Sequence, residues 1–316
     1  MMLDILIPTF NRAEPLIKNL ELIQKYLEDI ADEFDVSLIS VLISDNGSED
    51  CAFDLLKEYL ETKYKYNYHL FRQEKNIGVE ENVIFLIEHA SADYVMTLGD
   101  DDYFSIGYLR IVLDYIKEGR ITGIVPNYYI VDETEKPNGI IRDPIDSDKE
   151  YTIDDIWICE RGHQLSCLVF KRDGVVDSYK KNCRSSPYPF LYFLAYNLEK
   201  GNLVHVTKEP FKNTVISKKN WNYDFDKLMG ELAIAIDCLP YKNSKSRSRN
   251  TKIIVERNAY RFCNFETYKH PMKAIRKISR YKVSGSLKWT ILNVYFRNFP
   301  SVINVWIKSK VGEKNE

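Results

Sequence analysis

Apolar positions in the first hundred residues follow two alternating rhythms. Leu3-Asp4-Ile5-Leu6-Ile7-Pro8 is a short apolar run closed by proline and predicts a buried strand. Residues 13–31 carry Leu16, Leu20, Ile23, Leu27 and Ile30 at helical spacing, with Pro15 in the first turn, where a missing N–H is tolerated. Val36 to Ile43 predicts a second strand, residues 50–62 a helix, and His69-Leu70-Phe71 the end of a third strand. Glu80 to His89 reads as a helix with Val83, Leu86 and Ile87 on one face, and Tyr94 to Leu98 as a fourth buried strand.

Strand and helix thus alternate three times with short loops, which implies a parallel sheet wrapped by helices. In such sheets ligands bind beyond the carboxyl ends of the strands. The polar loops all fall there: Thr9 and Arg12, Asp45 and Asn46, Arg72 to Gly78, and Asp100-Asp101-Asp102. Four loops are expected to converge on one crevice.

The second half is less regular. A helix is expected at 106–118 and a strand from Ile121 to Val131, interrupted at Pro126. Residues 132–149, charged and holding Pro137, Gly139 and Pro144, read as a mobile loop. A helix at 152–160, a strand at 164–170, an aromatic buried helix at 188–198 and a short strand at 203–206 follow, then an irregular stretch over 207–222. Beyond it the period is helical: 225–239, 249–266, 271–281, 285–297 and a last segment near 301–309. Residues 1–222 form one expected unit, divided at 120/121 into two halves, and 223–316 a helical region. The Ser-, Lys- and Arg-rich stretch Lys242 to Asn250 is a boundary candidate.

Charge separates these regions more sharply than composition does. Residues 241–316 hold 18 Lys and Arg against four acids, or +14, whereas residues 1–240 hold 26 against 42, or −16. The basic tail points to an anionic partner surface, membrane or nucleic acid. Six cysteines, at 51, 159, 167, 183, 238 and 263, show no metal-ligand spacing and are expected to be reduced thiols in a cytoplasmic protein. No basic leader precedes the first strand and no stretch of about 18 uncharged apolar residues occurs, so neither signal peptide nor membrane span is expected.

The acidic triplet carries the candidate chemistry. Adjacent carboxylates at a buried strand end raise one another's pKa and call for a cation or many donors. Mg²⁺ and Mn²⁺ take oxygen ligands and bridge carboxylates to a substrate phosphate. Alone, the triplet reads first as a solvated acidic turn; the three polar loops at the same edge turn the reading to a metal-diphosphate site.

The ordered set Ile5-Leu6-Ile7-Pro8-Thr9-Phe10-Asn11-Arg12, Ile43-Ser44-Asp45-Asn46-Gly47-Ser48, Asn76-Ile77-Gly78 with Asn82, and Leu98-Gly99-Asp100-Asp101-Asp102 resembles glycosyltransferase family 2 over about residues 3–120. The resemblance implies a GT-A fold: α/β, with a Rossmann-like, doubly wound, mostly parallel sheet, here carrying an all-helical C-terminal extension. It further implies inverting transfer of a sugar from a nucleotide-sugar donor, a UDP-sugar by preference, with Mn²⁺ or Mg²⁺. Its nearest flavour is the transferases of bacterial capsule, O-antigen or exopolysaccharide assembly. Carried onto this chain, Pro8, Thr9 and Arg12 line the nucleotide and Asp45 accepts from the base. Arg72 or Gln73 touches base or ribose, and Asn76 and Gly78 close over the ribose. Asp100 contacts the ribose, and Asp101 or Asp102 holds the metal. Gly99 stands where the family often has a first aspartate.

Inversion needs a base for the acceptor hydroxyl. The family commonly places an acid before a helix in the second half, but Ser185-Ser186-Pro187-Tyr188-Pro189-Phe190-Leu191 has none. His163 is the candidate, with Asp155 and Glu160 nearby; His69, His89, His205 and His270 read as structural. Residues 269–310 interleave cations with large apolar groups, a pattern suited to a membrane interface. The expected partners are therefore a nucleotide sugar, a lipid-linked saccharide acceptor and the inner face of the cell membrane, rather than nucleic acid. The apolar helices could instead pair chains as a homo-oligomer. Two other readings compete with this one. A nucleotidyltransferase would need a glycine-rich phosphate loop, which Pro8 to Arg12 lacks. A degenerate transferase acting as an assembly partner has only the missing acid in its favour.

Overall fold

The first strand, β1 (Leu3–Thr9), is buried at all seven positions, and so is β2 (Ile39–Asp45), as expected of strands covered by helices on both faces. A computed structural model describes residues 2–132, 136–183, 186, 188–214, 225–262 and 270–312. β1 lies parallel to β2 and to β4 (Tyr94–Thr97), and β2 parallel to β3 (Tyr68–Arg72). Helices α1 (Ala13–Ile30), α2 (Asp50–Thr62) and α3 (Val79–His89) link these strands, and α4 (Ile106–Glu118) follows β4. This half matches the alternation read from the periodicity.

The sheet then changes direction. β5 (Gly123–Val131), β6 (Pro137–Ile141), β7 (Lys149–Tyr151), β8 (Val169–Lys171) and β9 (Leu203–Thr214) extend it to the order β3-β2-β1-β4-β8-β5-β9-β7, with β6 beside β5. β8 is antiparallel to both β4 and β5, and β9 is parallel to β5. A 3-10 helix (Ile153–His163), α5 (Val175–Asn182) and α6 (Pro189–Lys200) complete this half. Then come α7 (Phe225–Asp237), α8 (Ser244–Arg257), α9 (Ala259–Phe262), α10 (Pro271–Arg280) and α11 (Gly285–Gly312).

Several expectations change. The stretch 132–149 is partly paired: β6 lies within it, β7 begins at its last residue, and Asn127 ties it to the sheet by donating to the Asp143 carbonyl at 2.9 Å and accepting the Asp143 N–H at 3.0 Å. The strand expected at 164–170 begins only at Val169, and α5 was not foreseen. The strand at 203–206 continues to Thr214, re-registering past Pro126 on its neighbour; residues 215–222, and with them the expected boundary, lie outside the described residues. Lys242 to Asn250 is no linker, because α8 starts at Ser244 with the Asn243 side chain accepting from Ser246 N–H at 2.9 Å. The two last expected helices are one continuous α11.

Two buried clusters flank the sheet. One gathers α1, α2 and α4 residues such as Leu20, Leu56 and Tyr108; the other gathers α3, α5, α6 and the C-terminal helices, with Leu232, Ile254, Leu287, Ile291 and Tyr295 in the same cluster as Leu6 and Leu42. The basic C-terminal region therefore shares its core with the sheet. Among the described residues no helix is long and apolar enough to cross a membrane.

Candidate active site

Parallel register places the predicted residues side by side. Thr9 pairs with Asp45, and Asp45 with Arg72, so the ends of β1, β2 and β3 present them in one row. Asp45 is buried and spends both oxygens on the following turn, accepting the Ser48 N–H at 3.0 Å and the Ser48 hydroxyl. It therefore shapes the loop in this structure, while Arg72 and Gln73 stand more open. Arg72 donates to Asp50 at 2.6 Å and to the Ser48 carbonyl at 3.1 Å, and stacks over Phe53. Gly47 sits at φ +75°, and a Cβ there would lie 2.7 Å from the Lys75 carbonyl carbon. That close approach lets Asn46 and Asn76 interlock: Asn46 donates to Asn76 at 3.1 Å and accepts the Ile77 N–H at 2.9 Å, and Asn76 accepts the Gly78 N–H at 2.9 Å. Beside these loops an open cavity of about 410 Å³ is lined by Gly47, Ser48, Arg72, Gln73 and Glu74.

The acidic triplet follows β4 at the same edge. Arg12 reaches Asp100 at 3.1 Å and Asp101 at 2.6 Å, and the Thr9 hydroxyl donates to Asp100 at 2.9 Å. Asp102 accepts from the Ser166 hydroxyl, from Thr214 N–H at 2.9 Å and, more weakly, from Asn213 at 3.3 Å. Asn19, on α1, donates to the carbonyls of Gly99 at 3.1 Å and Asp102 at 2.8 Å. Gly99 has a steric reason: a Cβ would stand 3.0 Å from Ser166 Oγ and 3.2 Å from Asp102 Oδ2. Asn19, Ser166, Asn213 and Thr214 escaped the sequence reading because they come from distant positions with no local signature. Pro8, one residue before Thr9, pairs with Ser44 in the backbone wall of the crevice.

Burial, reinforced by Asp101, pushes Asp100 up to about 6 and Asp102 up to about 7; Arg12 and Thr9 pull against this at Asp100, and Ser166 and Thr214 at Asp102. The Arg12 guanidinium thus serves two of the three carboxylates. Among the described residues no cationic side chain pairs with Asp102. A buried carboxylate without a counter-charge suits a hard divalent cation. No three His, Cys, Asp or Glu side chains among the described residues form a complete cage. Asp101 and Asp102 would hold such an ion in part, leaving donor phosphate oxygens to finish its shell, as Mg²⁺ commonly requires. Asp101 is the open one, its side chain 20% exposed.

His163 ends the 3-10 helix with its side chain buried, Nδ1 at 2.7 Å from the Glu160 carbonyl oxygen. Burial pushes it down to about 4, against the pull of Glu160. It is therefore neutral near pH 7 and weakly basic. Glu160 is a buried hub for Arg257 at 2.8 Å and Asn258 at 3.2 Å. A carboxylate does stand before α6, but α3 delivers it: Glu80 accepts the Ser186 N–H at 2.9 Å and the Tyr179 hydroxyl at 2.6 Å. Ser185 and Pro187 lie outside the described residues. His89 stacks on Phe85 and His205 faces Asp143 at 3.3 Å, in keeping with structural parts.

Comparison with known proteins bears on the family and the fold. The family model for glycosyl transferase family 2 matches residues 4–167, from β1 through the Ser166 that bonds Asp102. No curated protein sequence matches significantly. Among solved structures, S. aureus TarS 1–349 superposes with a TM-score of 0.62 at 15% identity, over 98% of this chain and 92% of that one. The same TarS fragment with UDP-GlcNAc gives 0.61 at 16% identity, with the same coverage. The mannosyltransferase PcManGT from Pyrobaculum calidifontis, in complex with GDP-Man and Mn²⁺, gives 0.54 at 11% identity, over 96% and 82%. These likenesses carry the fold past the family match into the C-terminal helices.

Proposed function

Because this chain belongs to glycosyl transferase family 2, and is thus a glycosyltransferase using a nucleotide-sugar donor, we propose that it is inverting and metal-dependent and extends a lipid-linked saccharide in bacterial surface polysaccharide synthesis. The observation that carries this reading is the Asp100-Asp101-Asp102 turn, where Arg12 pairs with Asp100 and Asp101 and no cationic side chain among the described residues pairs with Asp102, at the edge that holds Thr9, Asp45 and Arg72. TarS was solved with UDP-GlcNAc and PcManGT with GDP-Man and Mn²⁺; the first favours a UDP-sugar here and the second a divalent metal.

Bound Mn²⁺ or Mg²⁺ would offset the charge that develops on the departing nucleoside diphosphate. The chain's own groups prepare that event. Arg12 is poised at the triplet to turn toward phosphate, Thr9 and Asp100 to meet the ribose, and Arg72 with Gln73 to flank the base. The interlocked Asn46 and Asn76 hold the Gly78 loop above the sugar. Preorganised donors and charges of this kind lower the barrier without moving during the reaction.

For the proton of the acceptor hydroxyl, His163 is the candidate from the sequence and Glu80 the one the geometry adds, since it stands before α6. Glu80→Gln is expected to lower kcat by at least about a hundredfold, and His163→Asn by less than tenfold; the reverse ranking in single-turnover assays assigns the proton to His163. The reading as a whole is tested with a panel of UDP-, GDP-, dTDP- and CDP-sugars plus Mn²⁺ or Mg²⁺, following nucleoside diphosphate release and thermal shift. Metal-dependent release from one donor is expected, and no shift with any nucleotide refutes it.

A further inference from the structure

The C-terminal helices divide their apolar residues between two faces. Ala274 and Ile278 on α10, and Leu287, Ile291, Val294 and Tyr295 on α11, are buried in the core. Met272, Trp289 and Phe296 point the other way and are 63%, 68% and 54% exposed. Trp289 and Phe296, seven residues apart, occupy one stripe of α11. A tryptophan so exposed is unusual, and it is enriched where a surface is apolar at one level and wet at the next.

The charge along these two helices has one sign, although Glu256 of α8 stands 3.9 Å from Arg297 beside them. Residues 267–312 contain ten Lys and Arg and no carboxylate. Lys273, Arg276, Arg280 and Lys282 are exposed and make no ion pair with the described residues. The body, by contrast, carries −16 over residues 1–240. Such a separation orients the molecule in a field: its basic end is drawn to an anionic surface and its acidic body is repelled. A free nucleic acid would meet the same cations and could stack bases on Trp289 and Phe296, but a polyanion that reaches round the chain also meets the acidic body, −16 over residues 1–240. An anionic bilayer uses both, taking the aromatics at headgroup level and the cations against its phosphates.

We propose that the outer face of α10 and α11 is a docking surface for an anionic lipid bilayer, with Trp289 and Phe296 entering the headgroup layer and Lys273, Arg276, Arg280 and Lys282 resting on lipid phosphate. The purpose of this docking rests on the lipid-linked acceptor proposed above; its physical basis does not. Because α11 packs on α8, α9 and α10, and its buried side belongs to the sheet's core, docking fixes the catalytic edge relative to the membrane rather than tethering it loosely.

The test is co-sedimentation of the full chain with phosphatidylglycerol vesicles and with phosphatidylcholine vesicles, alongside a UDP-sugar thermal shift on the same samples. The chain is expected to pellet with phosphatidylglycerol, hardly with phosphatidylcholine, and to be released by about 1 M salt, where the screening length is roughly 3 Å. Trp289→Ala with Phe296→Ala, and separately Arg276→Glu with Arg280→Glu, should each lower partitioning on the order of tenfold while keeping the melting temperature and the nucleotide shift. Equal pelleting with both lipids, none with either, or unchanged partitioning in the variants overturns the proposal. So does a vesicle-independent dimer broken by Trp289→Ala with Phe296→Ala, which gives the face to a second copy. Absence of the nucleotide shift in the wild type refutes the donor reading instead and leaves lipid binding as measured.

Discussion

Asp102 is a buried carboxylate that costs this chain stability at neutral pH. Its carboxyl sits at about 7, raised chiefly by burial, against about 4 for an unfolded aspartate. Between those values the folded state keeps a proton that the unfolded state has lost. The stabilising share of Asp102 is therefore complete below about pH 4 and is lost as the pH rises through 7. Asp102→Asn removes this titration and keeps the hydrogen-bonding outline toward Ser166 and Thr214. In EDTA at pH 8 the variant is expected to melt roughly 5 °C above wild type, with the gap closing toward pH 4, because a shift near three units is worth up to ~4 kcal/mol. Its transfer activity should fall at least about a hundredfold. A melting scan across pH checks the first half; an unchanged or lower melting temperature at pH 8 contradicts the electrostatic account. Gly47 makes the opposite case, a residue whose lack of a side chain the loop geometry requires. Gly47→Ala forces a methyl into the Lys75 backbone at a positive φ and should cost about 1–3 kcal/mol, read by melting, together with a raised KM for the donor.

Elements built on local periodicity were legible, and those held by distant contacts were not. The first four strands and α1 to α4 followed from apolar spacing, and the four polar loops from their places at strand ends. The segment from Lys242 to Asn250 failed because Ser, Lys and Arg signal exposure, whereas Asn250 is fully buried, accepting the Trp157 N–H at 3.1 Å and donating to the Asp154 carbonyl at 3.1 Å. The same contact zone explains Glu160, which looked like a candidate acid and proves to be a staple between the 3-10 helix and α8. Burial would raise its pKa, but Arg161, His163 and Arg257 hold it below the usual range. It therefore stabilises the fold above about pH 4 and loses that share as the pH falls further. Removing it leaves Arg161 and Arg257 without their shared counter-charge. Glu160→Ala is expected to cost about 3–5 kcal/mol, as broken buried pairs do, and Glu160→Gln less. Urea unfolding of both variants decides the matter; a loss under 1 kcal/mol in Glu160→Ala would mean that the pair is merely superficial.

At the scale of the whole molecule, the basic tail is less separable than its charge suggests. The jump from −16 to +14 at residue 240 marks an electrostatic boundary, and periodicity alone makes α10 and α11 look like an appendage. Packing says otherwise: Ala274, Ile278, Leu287, Ile291, Val294 and Tyr295 fill one side of a core that also contains Met229, Leu232, Ile236, Ile254 and the α6 residues Phe190 to Leu198. At ~1.5–3 kcal/mol for each large apolar side chain buried, the five beyond Ala274 contribute on the order of 10 kcal/mol. That is comparable with the whole net stability of an ordinary domain, about 5–15 kcal/mol. Deleting residues 269–316 is therefore expected to remove membrane binding and nucleotide binding together, by exposing Leu232 and Ile254 and driving the chain into aggregates. Point changes on the outer face should remove membrane binding alone. A soluble truncated chain that still shows a nucleotide-induced thermal shift would mean that the catalytic half holds its own core and that α10 and α11 are an appendage after all.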